Sequence, residues 1–107
     1  IAIGAYAPRW FMRDYHVNPA EAVRIHQDLR ACQSLGVHWG TFVLSDERAD
    51  APPQDLARAR EAAGLAPDEF QVLPVGGTWH APVGAETLKP DATTSPPAPG
   101  PSATPGR

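Results

Sequence analysis

Four histidines, His16, His26, His38 and His80, carry most of the chemistry this chain can offer. A neutral imidazole ligates a transition metal, and one titrating near neutrality passes a proton in either direction. A single histidine more often serves packing or solvation than ligation, so placement has to decide. His38 closes an apolar stretch and is followed by Trp39-Gly40-Thr41. In α/β sheets ligands gather outside the carboxyl ends of strands, and Gly40 would let the backbone turn there and leave the imidazole at the rim. His16 stands 22 residues earlier, in the connection leaving a first apolar segment. In a parallel unit that connection opens on the same rim, so the two imidazoles can share a site. His26 reads as a packing or helix-surface residue, and His80 as exposed. Two histidines do not complete a catalytic zinc site, which usually takes three protein ligands.

Tyr6, Arg9, Trp10, Phe11 and Met12 form a dense aromatic and apolar cluster. It reads either as a buried connection or as the wall of an apolar substrate groove, and Trp39 divides the same way. Cys32 falls on the stripe of a predicted helix and makes a poor nucleophile. As the single cysteine it excludes an internal disulfide and a cysteine-based zinc ribbon. Asp46, Glu47 and Asp50 read as a solvated loop. The glycines are scattered, with neither Walker nor dinucleotide spacing, and no Gly-x-Ser-x-Gly elbow occurs.

The elements that must position these residues follow from local patterning. Ile1–Tyr6 is a short apolar run stopped by Pro8, as suits a buried strand. Asn18-Pro19-Ala20-Glu21 combines an N-cap, a proline at N1 and a glutamate at N3, the signature of a helix start. Ala22, Ile25, Leu29 and Cys32 then fall at helical spacing, with Gly36 near the stop. Val37–Leu44 reads as a second strand interrupted by Gly40. A second helix is predicted over Pro53–Ala63, ended by Gly64 as a left-handed cap, with Leu56, Ala59 and Ala63 as its thin apolar side. Phe70–Val75 reads as a third strand, and Pro74 assigns it to an edge. Strand, helix, strand, helix, strand implies an α/β class with parallel pairing and right-handed crossovers.

The chain has 107 residues, with 13 prolines and nine glycines. Seven of the prolines lie in residues 81–107, which have almost no large apolar side chains and no period. Such a segment cannot offset its ordering entropy and is expected to be a disordered tail. Residues 1–80 then form the folded unit, near the size at which one core is marginal. They carry seven arginines, no lysine and ten acidic residues, which accounts for the whole net charge of −3. No basic stripe exists, so no nucleic-acid partner is expected. No apolar stretch approaches the roughly 20 residues of a membrane span, and no signal peptide is visible. Ile1 opens in the middle of an apolar run with no methionine before it, so the chain reads as the C-terminal fragment of a longer protein.

Three segments resemble a known family. They are Ile3-Gly4-Ala5-Tyr6-Ala7-Pro8-Arg9-Trp10-Phe11-Met12, then His16-Val17-Asn18-Pro19-Ala20-Glu21-Ala22-Val23-Arg24-Ile25-His26, then His38-Trp39-Gly40-Thr41-Phe42. Together they are similar to the C-terminal part of the metallo-β-lactamase-fold phospholipases D that hydrolyse N-acyl-phosphatidylethanolamine, and to their bacterial homologues. Weaker similarity runs through Pro52-Pro53, Leu56, Ala59, Gly64-Leu65, Phe70 and Val72-Leu73, so residues 1–76 are covered.

The resemblance implies a four-layer αβ/βα fold, of which this chain supplies part of the second half, and two zinc ions per complete domain. It assigns His38 as the last metal ligand and His16 as a catalytic residue near the metals. The remaining ligands of the family, a His-x-His-x-Asp-His cluster, another histidine and a bridging aspartate, do not occur in this chain. It makes Tyr6, Trp10, Phe11 and Trp39 candidate substrate-binding residues beside an acyl chain. The implied reaction is attack of a zinc-activated water on a lipid phosphodiester, with His16 either bonding the phosphate or protonating the leaving alkoxide. Two alternatives stand beside it: the same metal-dependent fold acting on a sugar-phosphate lactone, and a truncated, non-enzymatic remnant. The expected location is cytoplasmic, with peripheral membrane contact and an oligomer both compatible. Half of an open parallel sheet leaves an edge and an apolar face, so this chain alone is expected to aggregate or stay partly unfolded.

Overall fold

A computed structural model describes residues 1–81. Five elements follow in order: α1 (Arg9–Met12), α2 (Pro19–Asp28), β1 (Ser34–Gly36), α3 (Ala51–Ala62) and β2 (Phe70–Val72). The described residues form a small α/β unit whose two strands run parallel, with Ser34 opposite Phe70, Leu35 opposite Gln71 and Gly36 opposite Val72. The expected tail lies, from residue 82 onward, outside the described residues.

The first segment extends along the other side of β1. The Ile1 ammonium donates to the Leu35 carbonyl (2.8 Å), the Val37 amide to Ile1 (2.9 Å) and the Ile3 amide to Val37 (3.0 Å). The bridge at Ala2 and Val37 is parallel. β1 therefore lies between residues 1–3 and β2. The expected strand over Ile1–Tyr6 is shorter than its apolar composition suggested, because Ala5 takes a left-handed φ of 62° and turns the chain away.

α2 begins as its sequence dictates. The Asn18 side chain accepts from the Glu21 amide and the Glu21 carboxylate accepts from the Asn18 amide, both at 2.8 Å. This reciprocal box satisfies two amide groups that have no partner within the helix. The helix ends at Asp28, earlier than its expected run toward Gly36. Arg30 takes φ 51°, its amide donates to Gln27, and the Ala31 amide donates to His26. That is the Schellman closure of a helix. The buried stripe is consequently Ala22, Val23 and His26, while Leu29 is exposed and Cys32 lies beyond the helix rather than on its stripe.

The expected second strand is displaced. β1 is Ser34–Gly36, and Val37–Leu44 leaves the sheet, because His38 (φ 63°) and Gly40 (φ 76°) are both left-handed. Phe42, Val43 and Leu44 are exposed. α3 agrees with its expected bounds within two residues and closes on Gly64 at φ 69°, whose amide donates to Glu61 while that of Leu65 donates to Arg60. The third strand is confined to Phe70–Val72 and pairs with β1 alone among the described residues.

One core holds these pieces together: Ile3 from the first segment, Ala22 and Val23 from α2, Leu56 from α3 and Phe70 from β2. α2 and α3 pack on each other over it, as two successive crossovers of one hand require. Gly36 is the close point of this layer, since a Cβ there would lie 2.9 Å from Val72 Cγ1 and 3.0 Å from Ile3 Cδ1. Among the described residues no helix is long and apolar enough to cross a membrane.

Candidate functional site

The carboxyl end of β1 delivers His38. Val37 makes the bridge to Ala2 of the first segment, and the left-handed φ of His38 then turns the chain out of the sheet, leaving His38 exposed at the rim. His16 arrives from the other direction, in the turn between α1 and α2. Its ring stacks on that of His38, with centroids 5.4 Å apart and planes inclined by 26°. Parallel connectivity thus brings the two imidazoles together. Among the described residues neither ring has a hydrogen-bond partner.

His38 is set from below by close backbone contact. A Cβ on Gly4 would lie 2.2 Å from the His38 carbonyl oxygen, so only glycine allows the first segment to pass there. Beyond it, a single carboxylate latches the His38 loop to that segment. Glu47 accepts from the Ala5 amide (2.6 Å), the Ala7 amide (3.0 Å) and the Ser45 hydroxyl (2.6 Å), and the Asp46 amide donates to the Ala7 carbonyl (3.1 Å). Burial opposes ionisation of Glu47, but the bonds from Ser45, Ala7 and Ala5 outweigh it and hold its carboxyl below the ordinary range. The expectation of a merely solvated acidic loop therefore fails at Glu47, which is half-buried and bridges two segments.

A cleft of about 390 Å³ opens beside this loop, lined among others by His38, Trp39, Phe42, Leu44, Glu47 and Pro52. Trp39 is half-buried and also packs on the core. Trp10 and Phe11 stand on α1, outside the cleft lining, 80% and 57% exposed, with their rings 5.8 Å apart edge to face. Within the described residues the four-residue α1 turns both side chains outward. Tyr6 is buried instead and donates to the Asp55 carboxylate of α3. Burial first, and then that carboxylate, push its phenol well above the usual range.

His26 belongs to the interior. It is 1% exposed, its Nδ1 lies 2.8 Å from Ser34 Oγ, and its ring stacks on Phe70 at 5.6 Å. His80 is exposed. Arg9 is the residue that composition could not single out: it donates to the His16 carbonyl (2.8 Å) and to both oxygens of Glu21 (3.0 Å each). Only the Asn18–Glu21 box offered a hint that this corner is fixed.

The donor chemistry suits a metal in part. Imidazole is a good zinc ligand, and His38 and His16 present two at one rim. Among the described residues, however, no group of three or more His, Cys, Asp or Glu could hold a metal ion. These residues contribute at most part of a ligand set.

No family model matches the chain. The N-acyl-phosphatidylethanolamine-hydrolyzing phospholipase D 1 of Caenorhabditis elegans is 42% identical over 85 residues, covering 76% of this chain and 23% of the relative. The mitochondrial N-acyl-phosphatidylethanolamine-hydrolyzing phospholipase D of Saccharomyces cerevisiae is 46% identical over 62 residues, covering 58% of this chain and 13% of the relative. An uncharacterized protein of Mycobacterium bovis is 37% identical over 94 residues, covering 84% of this chain and 23% of the relative. The chain spans less than a quarter of the length of these curated relatives. Over most of its own length, then, this chain resembles one part of the N-acyl-phosphatidylethanolamine-hydrolyzing phospholipases D.

Proposed function

We propose that this chain forms part of a zinc-dependent phosphodiesterase of phospholipase D type, acting on an N-acyl-phosphatidylethanolamine or a related lipid phosphodiester. In this reading its sheet and helices are one portion of a four-layer αβ/βα metallo-β-lactamase fold. The observation that carries the proposal is the stacking of His16 on His38 at the carboxyl rim of β1. The names of the worm and yeast relatives support the reaction class.

His38 is the metal ligand in this proposal. Its exposed ring has no hydrogen bond among the described residues, which leaves one nitrogen for a metal and the other for an acceptor that orients the ring. Bound zinc would supply Lewis acidity at phosphorus and a water acidic enough to react near neutrality. His16 works beside it on the substrate. As a donor it bonds a phosphoryl oxygen, and as a general acid it protonates the alkoxide as the ester bond breaks. Trp39, Phe42 and Leu44 give the cleft next to His38 an apolar wall suited to an acyl chain.

The test is zinc content and phosphodiesterase activity of the full-length protein carrying this chain, beside His38→Ala and His16→Ala. Loss of zinc in His38→Ala, with zinc retained but turnover lost in His16→Ala, is the expected pattern. Full zinc content in His38→Ala, or hydrolysis of lactones without hydrolysis of the phospholipid, would overturn the proposal.

A further inference from the structure

His16 reaches His38 from a turn whose main chain is tied on both sides of its Cα. The His16 amide donates to the Met12 carbonyl at 2.9 Å, and the His16 carbonyl accepts from Arg9 Nη1 at 2.8 Å. With both peptide groups fixed, the direction of the Cα–Cβ bond is fixed too, and only the two side-chain torsions remain for stacking to set. Arg9 makes the second of these ties and does more. Its Nη2 donates to both oxygens of Glu21 at 3.0 Å, and Glu21 in turn closes the capping box with Asn18. One planar guanidinium therefore joins α1, the His16 turn and the first turn of α2.

This ion pair is a weak source of stability. The Arg9 and Glu21 side chains are 32% and 42% exposed, and pairs of that kind contribute little after screening and side-chain ordering. What the guanidinium supplies is geometry: a rigid fork that serves a carbonyl and a carboxylate at once. A lysine ammonium, a point charge on a flexible stem, cannot reproduce it. α1 is only four residues long, and the Arg9 side chain is what ties it both to the His16 carbonyl and to the start of α2.

We propose that Arg9 is a positioning residue of the site, acting through His16 by setting how that ring lies on His38. The effect on turnover rests on the phosphodiesterase reading; the effect on the rings does not.

The experiment uses Arg9→Lys and Glu21→Gln in the full-length protein, each alone and combined with His16→Ala. Arg9→Lys keeps the charge and spares the fold, and Glu21→Gln loosens the fork from its other end. Arg9→Lys is expected to lower kcat about tenfold, as small misplacements of a reacting group do, with KM little changed. It should add nothing to His16→Ala. An equal loss in both backgrounds would overturn the proposal, because Arg9 would then act independently of His16.

A second readout needs no activity. With histidine rings isotopically labelled, His16→Ala should shift the His38 ring resonances by removing the stacked neighbour, and Arg9→Lys should shift them the same way. His38 resonances that respond to His16→Ala but not to Arg9→Lys would overturn the proposal. A protein without phosphodiesterase activity whose His38 resonances move in both variants would refute the proposed function and leave the role of Arg9 standing.

Discussion

Gly4 lies directly under the carbonyl of His38: a Cβ at Gly4 would sit 2.2 Å from that oxygen and 3.2 Å from its carbon. Both obstructing atoms are main chain, so no side chain can swing aside to make room. The first segment and the His38 loop touch here backbone to backbone, just before Ala5 turns left-handed and Glu47 takes hold of its amide.

Gly4→Ala must therefore move either the first segment or His38. The expected cost is about 1–3 kcal/mol, as for other overpacked sites, read as a lower urea midpoint, and, with His38 as the proposed ligand, weaker zinc binding by the full-length protein. Gly64→Ala is the comparison. Gly64 also resists a side chain, through its φ of 69°, but a Cβ there would meet nothing within 4 Å. It should cost about 1 kcal/mol and leave zinc content unchanged. Equal zinc affinity in the two variants would show that the contact under His38 does not govern the site.

Some of this architecture was legible from residues alone because the causes are local. Asn18, Pro19 and Glu21 start α2 through their own side chains, and Gly64 ends α3 through its own φ. The meeting of His16 and His38 follows from connectivity, since parallel crossovers bring the exit of one segment beside the end of the next. The Val37–Leu44 run misleads because its apolar composition imitates a strand. Its path is set by distant contacts, Gly4 against His38 and Glu47 against Ala5 and Ala7, which no local pattern announces. The true strand, Ser34-Leu35-Gly36, has weak strand propensity and is a strand because residues 1–3 and β2 flank it. The α2 stripe keeps Ala22 and departs from its expected face at Leu29 and Cys32 for a related reason. Helical spacing allows several faces, and the buried one includes a polar residue, His26, whose partner Ser34 lies on β1.

The Glu47 latch makes the site acid-sensitive. The carboxyl is held below its ordinary value of 4.5, so the folded chain binds this proton less readily than the unfolded chain. Stability from the latch is fully present above that ordinary value and is lost as the pH falls through the lower folded value. Glu47→Gln removes the titration. The wild-type urea midpoint should fall more steeply than that of Glu47→Gln between about pH 5 and pH 3. Parallel curves would show that the carboxylate is not linked to folding. At neutral pH Glu47→Ala should cost about 1–3 kcal/mol, because the Ala5 and Ala7 amides lose their acceptor.

The interior histidine supports β1, the strand that ends at His38. His26 and Ser34 are both buried, 1% and 8% exposed, and their bond spans α2 and β1. Ser34→Ala leaves His26 Nδ1 without that partner in an apolar layer beside Phe70, at an expected cost of about 1–3 kcal/mol. His26→Phe strands the Ser34 hydroxyl in the same way and should destabilise alone. Removing both partners leaves no orphan from this bond, so the double variant should be more stable than the sum of the two losses predicts. Urea unfolding of the four proteins gives that coupling directly. Strict additivity would mean that the 2.8 Å contact contributes nothing to stability.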